Sequence, residues 1–297
     1  MKKPLFEGVC TAIVTPFRNG TVDKQKLEAL LEFQIQAGVQ AVVVCGTTGE
    51  SPTLSTQEQL EAIAHAIQYT AGRISVIAGT GCNDTAHTIE MSRVASSMGA
   101  DGLLLVTPYY NKATQSGLIE HYTAVADAVS CPIIVYNVPS RTGMNMTVDT
   151  YCALSVHPQI QGVKEASGDI SKIQRTLDAC GDNFFVWSGN DDQIVPIQSV
   201  GGKGVISVLS NILPAETVHL LELCKLQRYE EAGTLQCQWM DLIDFLFCEV
   251  NPIPVKALLN YLGWEVGLPR LPLTDLSDSA KTKMVAIAEK YRLSSHT

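Results

Sequence analysis

The chain has 297 residues, of which 46% are hydrophobic and 17% are charged, and its formal net charge is -9. The charge is spread without an acidic or basic block, which argues against nucleic acid as a partner. No apolar run approaches the ~18 residues of a membrane span, and the two lysines near the start precede no signal-peptide-like apolar stretch. The 9 cysteines include no C-x-x-C pair and lie mostly in apolar contexts, so we expect reduced thiols in a cytoplasmic protein.

Short apolar runs alternate with helical patterns over the first three quarters of the chain. Each run ends in a polar or glycine-rich turn and is apolar on both faces, as in parallel strands covered by helices. Eight such units predict an α/β protein with a (β/α)8 TIM barrel, whereas a doubly wound sheet is disfavoured because no G-x-G-x-x-G follows the first run. The predicted strands are Cys10–Val14, Ala41–Val44, Ile74–Ala78, Gly102–Val106, Pro132–Val135, Ile160–Val163, Asn183–Trp187 and Gly204–Ser207.

Beyond the eighth run the pattern is helical only. We therefore expect a catalytic barrel domain over residues 1–226 and a C-terminal helical domain over residues 227–297. Within the barrel, Thr56 and Gln59 match the helix-capping pattern S/T-x-x-E/Q at the start of the second helix. The helices predicted for the C-terminal domain are Tyr229–Cys248, Pro252–Leu262 and Ser277–Tyr291.

Lys164 has the most informative position of any polar residue. In a TIM barrel the carboxyl ends of the strands and the loops after them form the active-site face, and Lys164 ends the sixth predicted strand. Desolvation there would disfavour the ammonium form, lower the pKa and make the amine a nucleophile toward a carbonyl group. A structural ion pair of Lys164 with Glu165 or another acid is the alternative, and position alone leaves both open.

Other polar side chains follow neighbouring strands. The phenol of Tyr136 could relay protons for an imine-forming lysine, or only cap the barrel mouth. Thr47 and Thr48 lie in a glycine-bounded turn that could hold a carboxylate, or their hydroxyls could simply cap that turn, and Tyr110 is similarly placed. Arg141 suits bidentate recognition of a carboxylate, although a solvated loop arginine is favoured without further context.

Metal catalysis has little support in the sequence. None of the 6 histidines follows a predicted strand, His296 lies in the C-terminal tail, and no H-x-H or H-E-x-x-H motif occurs. Asp191 and Asp192 could bind Mg²⁺, but capping of the following helix is favoured. No glycine-rich loop carries a lysine at the P-loop spacing. We therefore expect no metal and no cofactor.

Several motifs together resemble the pyruvate-dependent class I aldolase family of dihydrodipicolinate synthase and N-acetylneuraminate lyase. They are GTTGE at 46–50, YNVPSRTG at 136–143 and KEASG at 164–168, with NPIPVK at 251–256 in the C-terminal region. The resemblance runs from Gly8 to about Leu273. Each motif is moderately specific, and their order on the predicted strands makes the set highly specific.

The resemblance implies a covalent mechanism in which pyruvate forms an imine with Lys164. Thr47, Tyr136 and Tyr110 would relay protons, with Tyr110 reaching into the site of a neighbouring subunit. Members of the family are commonly dimers of dimers, so a homotetramer is implied. Backbone amides would help to hold the pyruvate carboxylate. The residues implied to bind or line the pyruvate pocket are Thr48, Gly189 and Ile206.

Arg141 bears on the second substrate. Within the family, an arginine at this position resembles the synthase branch, where it binds the carboxylate of L-aspartate 4-semialdehyde, and sugar-acid lyases generally lack it. The implied reaction condenses pyruvate with that aldehyde to give 4-hydroxy-tetrahydrodipicolinate, the first committed step toward diaminopimelate and lysine. The alternatives are a lyase for a 2-keto sugar acid such as N-acetylneuraminate, a non-catalytic barrel, which would be expected to lose Lys164 or Tyr136, and a metal-dependent aldolase.

The resemblance also has one departure. Family members that lysine inhibits carry histidines and a glutamate around the dimer cleft. The corresponding positions here look like Thr56, Gln59 and His87, and only Asn83 and Tyr109 fit the pattern. We therefore expect feedback inhibition by lysine to be weak or absent.

Overall fold

A computed structural model describes residues 2–293, and its centre is a closed barrel of parallel strands. Neighbouring strands follow chain order around the barrel, and the last pairs with the first, with Gly204 opposite Gly8. A closed barrel has no free edge, so the doubly wound alternative is excluded. The strands are β1 (Gly8–Ala12), β2 (Ala41–Val44), β3 (Ser75–Gly79), β4 (Gly102–Val106), β5 (Ile133–Asn137), β6 (Ile160–Glu165), β7 (Phe185–Ser188) and β8 (Gly204–Ser207).

Helices follow the strands and cover the outside of the barrel, which confirms the predicted (β/α)8 fold. Shorter pieces accompany them: a two-stranded hairpin (Phe17–Arg18 with Thr21–Val22) and a one-turn helix (Pro139–Thr142). The outer helices are α1 (Lys24–Gln36), α2 (Thr56–Thr70), α3 (Thr85–Ser97), α4 (Gln115–Ala126), α5 (Val148–Ser155), α6 (Ile170–Cys180), α7 (Ile194–Ser199) and α8 (Pro214–Lys225).

Some predicted boundaries were wrong. β1 lies two residues earlier than its apolar run suggested, and β5 and β6 extend into the polar residues Asn137 and Glu165, because backbone pairing continues past the apolar segment. The cap of α2 is also one residue earlier than predicted. Ser55 Oγ accepts from the Glu58 N–H at 3.2 Å, and a Glu58 carboxylate oxygen accepts from the Ser55 N–H at 2.9 Å.

Strand alternation decides which side chains enter the barrel. On β5, Ile134 and Tyr136 belong to the interior hydrophobic cluster, whereas Val135 packs outward against the helices. On β6 the same alternation turns Val163 outward. Lys164 is the register partner of Tyr136 in the parallel pair. Both side chains are therefore directed to the interior at the same height.

Three more helices, α9 (Tyr229–Leu246), α10 (Ile253–Tyr261) and α11 (Asp278–Lys290), form a C-terminal appendage. Their buried residues, including Leu246 and Leu258, join the same hydrophobic core as the outer face of the barrel. Because the core is shared, the division at residues 226 and 227 stays a prediction. No helix within residues 2–293 has the length and apolar character to cross a membrane.

Candidate active site

A cavity of about 500 Å³ opens at the carboxyl ends of the barrel strands. Its walls come from the loops after β2, β5, β6 and β7 and from the segment of the appendage between α9 and α10. Most of the residues that the sequence singled out meet here. Those lining the cavity are Thr47, Thr48, Tyr136, Arg141, Lys164 and Gly189, together with Phe247, Val250 and Asn251 from the appendage.

Lys164 is 6% exposed, and its ammonium group makes no hydrogen bond or ion pair with the part of the chain that the structure describes. Glu165, the acid of the alternative ion-pair hypothesis, instead contacts the Tyr151 hydroxyl and Lys172. The Lys164 Nζ atom lies 4.3 Å from the centre of the Tyr136 ring. Burial lowers the pKa of Lys164 to about 8, although the nearby acidic groups of Cys10 and Asp191 oppose the shift. The lowered pKa leaves part of the amine unprotonated near neutral pH, and the unprotonated amine can act as a nucleophile.

Lys256 shows what a buried structural lysine looks like in the same fold. Its side chain is fully buried, yet its Nζ atom donates to Glu50 Oε1 at 2.7 Å and to the carbonyl oxygens of Thr15 at 3.0 Å and Leu268 at 3.3 Å. Burial lowers the pKa of Lys256, and the Glu50 carboxylate opposes that shift. Lys164 makes no comparable hydrogen bond or ion pair with the described residues, so the two lysines differ in their polar partners rather than in their burial.

Tyr136 lies beside Lys164 because the two are register partners on β5 and β6. Tyr136 is 7% exposed, and burial raises the pKa of its phenol to about 12. It is therefore protonated at neutral pH and suited to donate a proton or pass one on, rather than to act as a phenolate.

The turn after β2 presents Thr47 and Thr48 to the cavity. It closes on itself through the Glu50 N–H, which donates to the Thr47 carbonyl at 3.1 Å. Two non-glycine residues of the turn have left-handed backbone, Cys45 with φ 56° and Glu50 with φ 57°. Such conformations cost free energy and persist when surrounding contacts require them.

Gly189, after β7, is needed for space. A Cβ atom at this position would lie 2.8 Å from the Cβ of Ala166 and 3.2 Å from the Cε of Lys164. Any side chain would press on Lys164, so glycine keeps the floor of the cavity open beside the amine. The structure therefore gives Gly189 a steric reason for its identity.

Arg141 lies at the cavity rim with its side chain exposed. Its Nη2 donates to the backbone carbonyl of Asn251 at 3.3 Å. Asn251 is itself 5% exposed, and its Nδ2 donates to Thr48 Oγ1 at 2.9 Å. The sequence contains the NPIPVK motif but does not predict a place for Asn251 in the site. Its contacts join residues that are 110 and 203 positions apart, which no local pattern specifies.

Glu165 organises the loop that follows Lys164. Its buried carboxylate accepts from Asn137 Nδ2 at 2.8 Å, from the Tyr151 hydroxyl at 2.7 Å and from the Ser167 N–H at 2.8 Å, and it forms an ion pair with Lys172 at 3.0 Å. These contacts tie the ends of β5 and β6 to α5 and α6. The pair of strand ends that carries Tyr136 and Lys164 is thereby held rigidly.

Two predicted site residues do not line the cavity of the single chain. Ile206 is fully buried in the interior hydrophobic cluster below it, opposite Cys10 on β1. Tyr110 is 92% exposed, with φ 70°, and is not among the residues that line the cavity. The predicted role of Tyr110 in the site of a neighbouring subunit stays a prediction.

Asp191 caps a turn that is distant in sequence. Its buried Oδ2 accepts from the N–H groups of Val208 and Leu209 at 3.0 and 2.9 Å, and burial raises its pKa. This differs from the predicted cap of its own helix. Within residues 2–293, no three His, Cys, Asp or Glu side chains are grouped so that they could hold a metal ion. His296 lies outside the described residues.

Known proteins resemble this chain over almost its whole length. A 4-hydroxy-tetrahydrodipicolinate synthase from Thermoanaerobacter sp. (strain X514) is 49% identical over 292 residues, covering 98% of both chains. The crystal structure of dihydrodipicolinate synthase from Aquifex aeolicus superposes with a TM-score of 0.96 at 42% identity, covering 98% of this chain and 100% of the other. A lysine-bound synthase from Cyanidioschyzon merolae gives a TM-score of 0.95 at 41% identity, covering 98% and 100%.

The family model confirms the resemblance that the motifs suggested. The model of the Dihydrodipicolinate synthetase family matches residues 5–291, which include the barrel, the cavity and the appendage. The similarity to the curated synthase and the superposition on the solved structure each cover 98% of the chain. The chain belongs to the dihydrodipicolinate synthetase family.

Proposed function

We propose that the protein is a 4-hydroxy-tetrahydrodipicolinate synthase, a Schiff-base lyase that condenses pyruvate with L-aspartate 4-semialdehyde. Family membership and the curated relatives of that name support the reaction. The observation that carries the proposal is a buried lysine that makes no ion pair with residues 2–293, in the same cavity as an arginine at the rim. The first feature suits imine chemistry, and the second suits an aldehyde that carries a carboxylate.

The covalent step begins at Lys164. Its neutral amine attacks the C2 carbonyl of pyruvate, and loss of water from the carbinolamine leaves the imine. Removal of a methyl proton then gives an enamine, whose carbon attacks the aldehyde. Tyr136 is the proposed proton donor and acceptor beside the amine, since burial keeps its phenol protonated. Thr47 would link this phenol to Tyr110 of a neighbouring subunit.

The remaining predicted residues receive binding roles. Thr48 and the backbone amides of its turn would hold the pyruvate carboxylate, and Gly189 provides the open floor. Ile206 would support that floor from the interior rather than contact the substrate, because it is fully buried below the cavity. Arg141 would bind the carboxylate of the aldehyde substrate.

The exposure of Tyr110 supports the proposal that the enzyme is an oligomer. A tyrosine that is 92% exposed on left-handed backbone has few contacts within its own chain to hold it there. A neighbouring subunit would provide those contacts and receive the phenol. We therefore propose an oligomer, and the family resemblance suggests a homotetramer built as a dimer of dimers. We also propose that the enzyme acts in the cytoplasm and uses no cofactor or metal.

Borohydride reduction in the presence of pyruvate tests the covalent step. Reduction should fix pyruvate to the Lys164 peptide, as detected by mass spectrometry, and Lys164→Met should show no adduct. Absence of an adduct from the unmodified protein would overturn the proposal. A coupled assay with L-aspartate 4-semialdehyde against N-acetylneuraminate then separates the synthase from the sugar-acid lyase. Arg141 favours the synthase.

A further inference from the structure

We infer that Lys256, in the C-terminal appendage, is a positioning residue for the threonine turn of the active site. It would act through Glu50, which ends the turn that carries Thr47 and Thr48. The inference rests on the proposed function, since it concerns the same proton relay. It gives the appendage a part in catalysis in addition to its part in the shared core.

The Glu50 carboxylate is held on both oxygens by the appendage. Its Oε1 accepts from Lys256 Nζ at 2.7 Å, and its Oε2 accepts from the Arg270 N–H at 2.8 Å. Both side chains of the ion pair are completely buried. The backbone of Glu50 has φ 57°, an unfavourable value for a residue with a side chain, and these contacts help to hold the turn in this conformation together with the Thr15 hydroxyl, which donates to the Gly49 carbonyl at 2.6 Å.

Glu50 is coupled directly to the relay residue. Its N–H donates to the Thr47 carbonyl at 3.1 Å, so one hydrogen bond separates the buried ion pair from the backbone of Thr47. A second link from the appendage reaches the next residue, where Asn251 Nδ2 donates to Thr48 Oγ1 at 2.9 Å. Asn251 lies two residues before the start of α10, which carries Lys256. The two threonines are thus connected to one segment of the appendage.

Proton relays depend on this kind of positioning. A hydroxyl displaced by about 1 Å from its partner loses its hydrogen bond, and misplacements of that size cost roughly 100-fold in rate. Release of Glu50 would let the turn relax from its left-handed conformation and move the Thr47 hydroxyl relative to Tyr136. Lys164 would keep its own surroundings, because no described contact joins it to Lys256. We therefore expect a slower proton-transfer step and an intact nucleophile.

The test uses Glu50→Gln, Lys256→Met and the double variant Glu50→Leu/Lys256→Met. Each single variant leaves a buried charge unpaired and is expected to unfold at a lower temperature. The double variant removes both charges and should regain part of that loss. Lys24→Met is the matched control, because it breaks an exposed Lys24–Glu61 pair at 3.1 Å. The readouts are the melting temperature, the rate and final extent of borohydride-trapped pyruvate adduct, and kcat.

The expected result is a separation of stability from rate. The double variant should melt above either single variant, yet form the adduct roughly 10- to 100-fold more slowly than the unmodified protein and to the same final extent. Recovery of rate and kcat in step with the melting temperature would make the pair merely structural and overturn the inference. If the unmodified protein forms no adduct, the proposed function fails instead. If every variant forms the adduct at the rate of the unmodified protein, only the positioning role of Lys256 is overturned.

Discussion

Replacement of Lys164 by methionine should make the protein more stable at neutral pH while abolishing its activity. The lysine is buried without a hydrogen bond or ion pair to the part of the chain that the structure describes, and its pKa falls from the ordinary 10.5 to about 8. Below pH 8 the ammonium group is charged in both the folded and the unfolded chain, so the full cost of burying that charge opposes folding. The difference corresponds to about 3 kcal/mol of destabilisation at pH 7.

The sign of the pH dependence follows from the lowered pKa. Between pH 8 and pH 10.5 the unfolded chain binds more protons at this site than the folded chain, so stability rises with pH over that window. The advantage of Lys164→Met should therefore be about 3 kcal/mol at pH 7, about 2 kcal/mol at pH 9, and near zero above pH 10.5. Methionine is similar to lysine in length and fills the same space without a charge.

Urea unfolding and melting curves of both proteins at pH 7 and pH 9 provide the measurement. We expect a rise in melting temperature of roughly 6 °C at pH 7. Lys256→Met is the matched control, because it removes a buried lysine that is paired with Glu50 at 2.7 Å and should lower stability by roughly 3–5 kcal/mol. A Lys164→Met protein that is equally or less stable at pH 7 would refute the view that this amine is buried without compensation.

Three further predictions concern the reaction. Tyr136→Phe should lower kcat by roughly 100-fold or more, with the pyruvate adduct still trapped slowly by borohydride, and an unchanged kcat would exclude the phenol from the relay. Arg141→Lys should raise the KM for the aldehyde by roughly 10-fold or more and leave adduct formation with pyruvate unaltered, because lysine cannot make the bidentate contact. Free lysine titrated into the assay should inhibit the enzyme weakly or not at all. Near-complete inhibition at sub-millimolar lysine would contradict the prediction that Thr56, Gln59 and His87 prevent feedback inhibition.

Part of the site was predictable from the sequence because it depends on local order along the chain. Lys164 and Tyr136 end consecutive strands, and consecutive strands of a parallel barrel are neighbours, so their proximity followed from the repeat alone. The motifs around Thr47 and Arg141 marked loops on the same face for the same reason. The strand ends were less accurate, since hydrogen bonding carries β5 and β6 beyond their apolar residues.

The sequence by itself therefore determined the barrel, its active-site face and the lysine at its centre, because hydrophobic periodicity and strand order are local properties. Only the tertiary structure decided the lowered pKa of that lysine, which depends on its burial and on the lack of an acid bonded to its amine among the described residues. It also decided that Lys256, equally buried, is neutralised by Glu50 across 206 positions of sequence, and that Asn251 reaches Thr48 across 203. These properties arise from groups that meet only after folding, and no pattern within a short window specifies which charges will share a buried space.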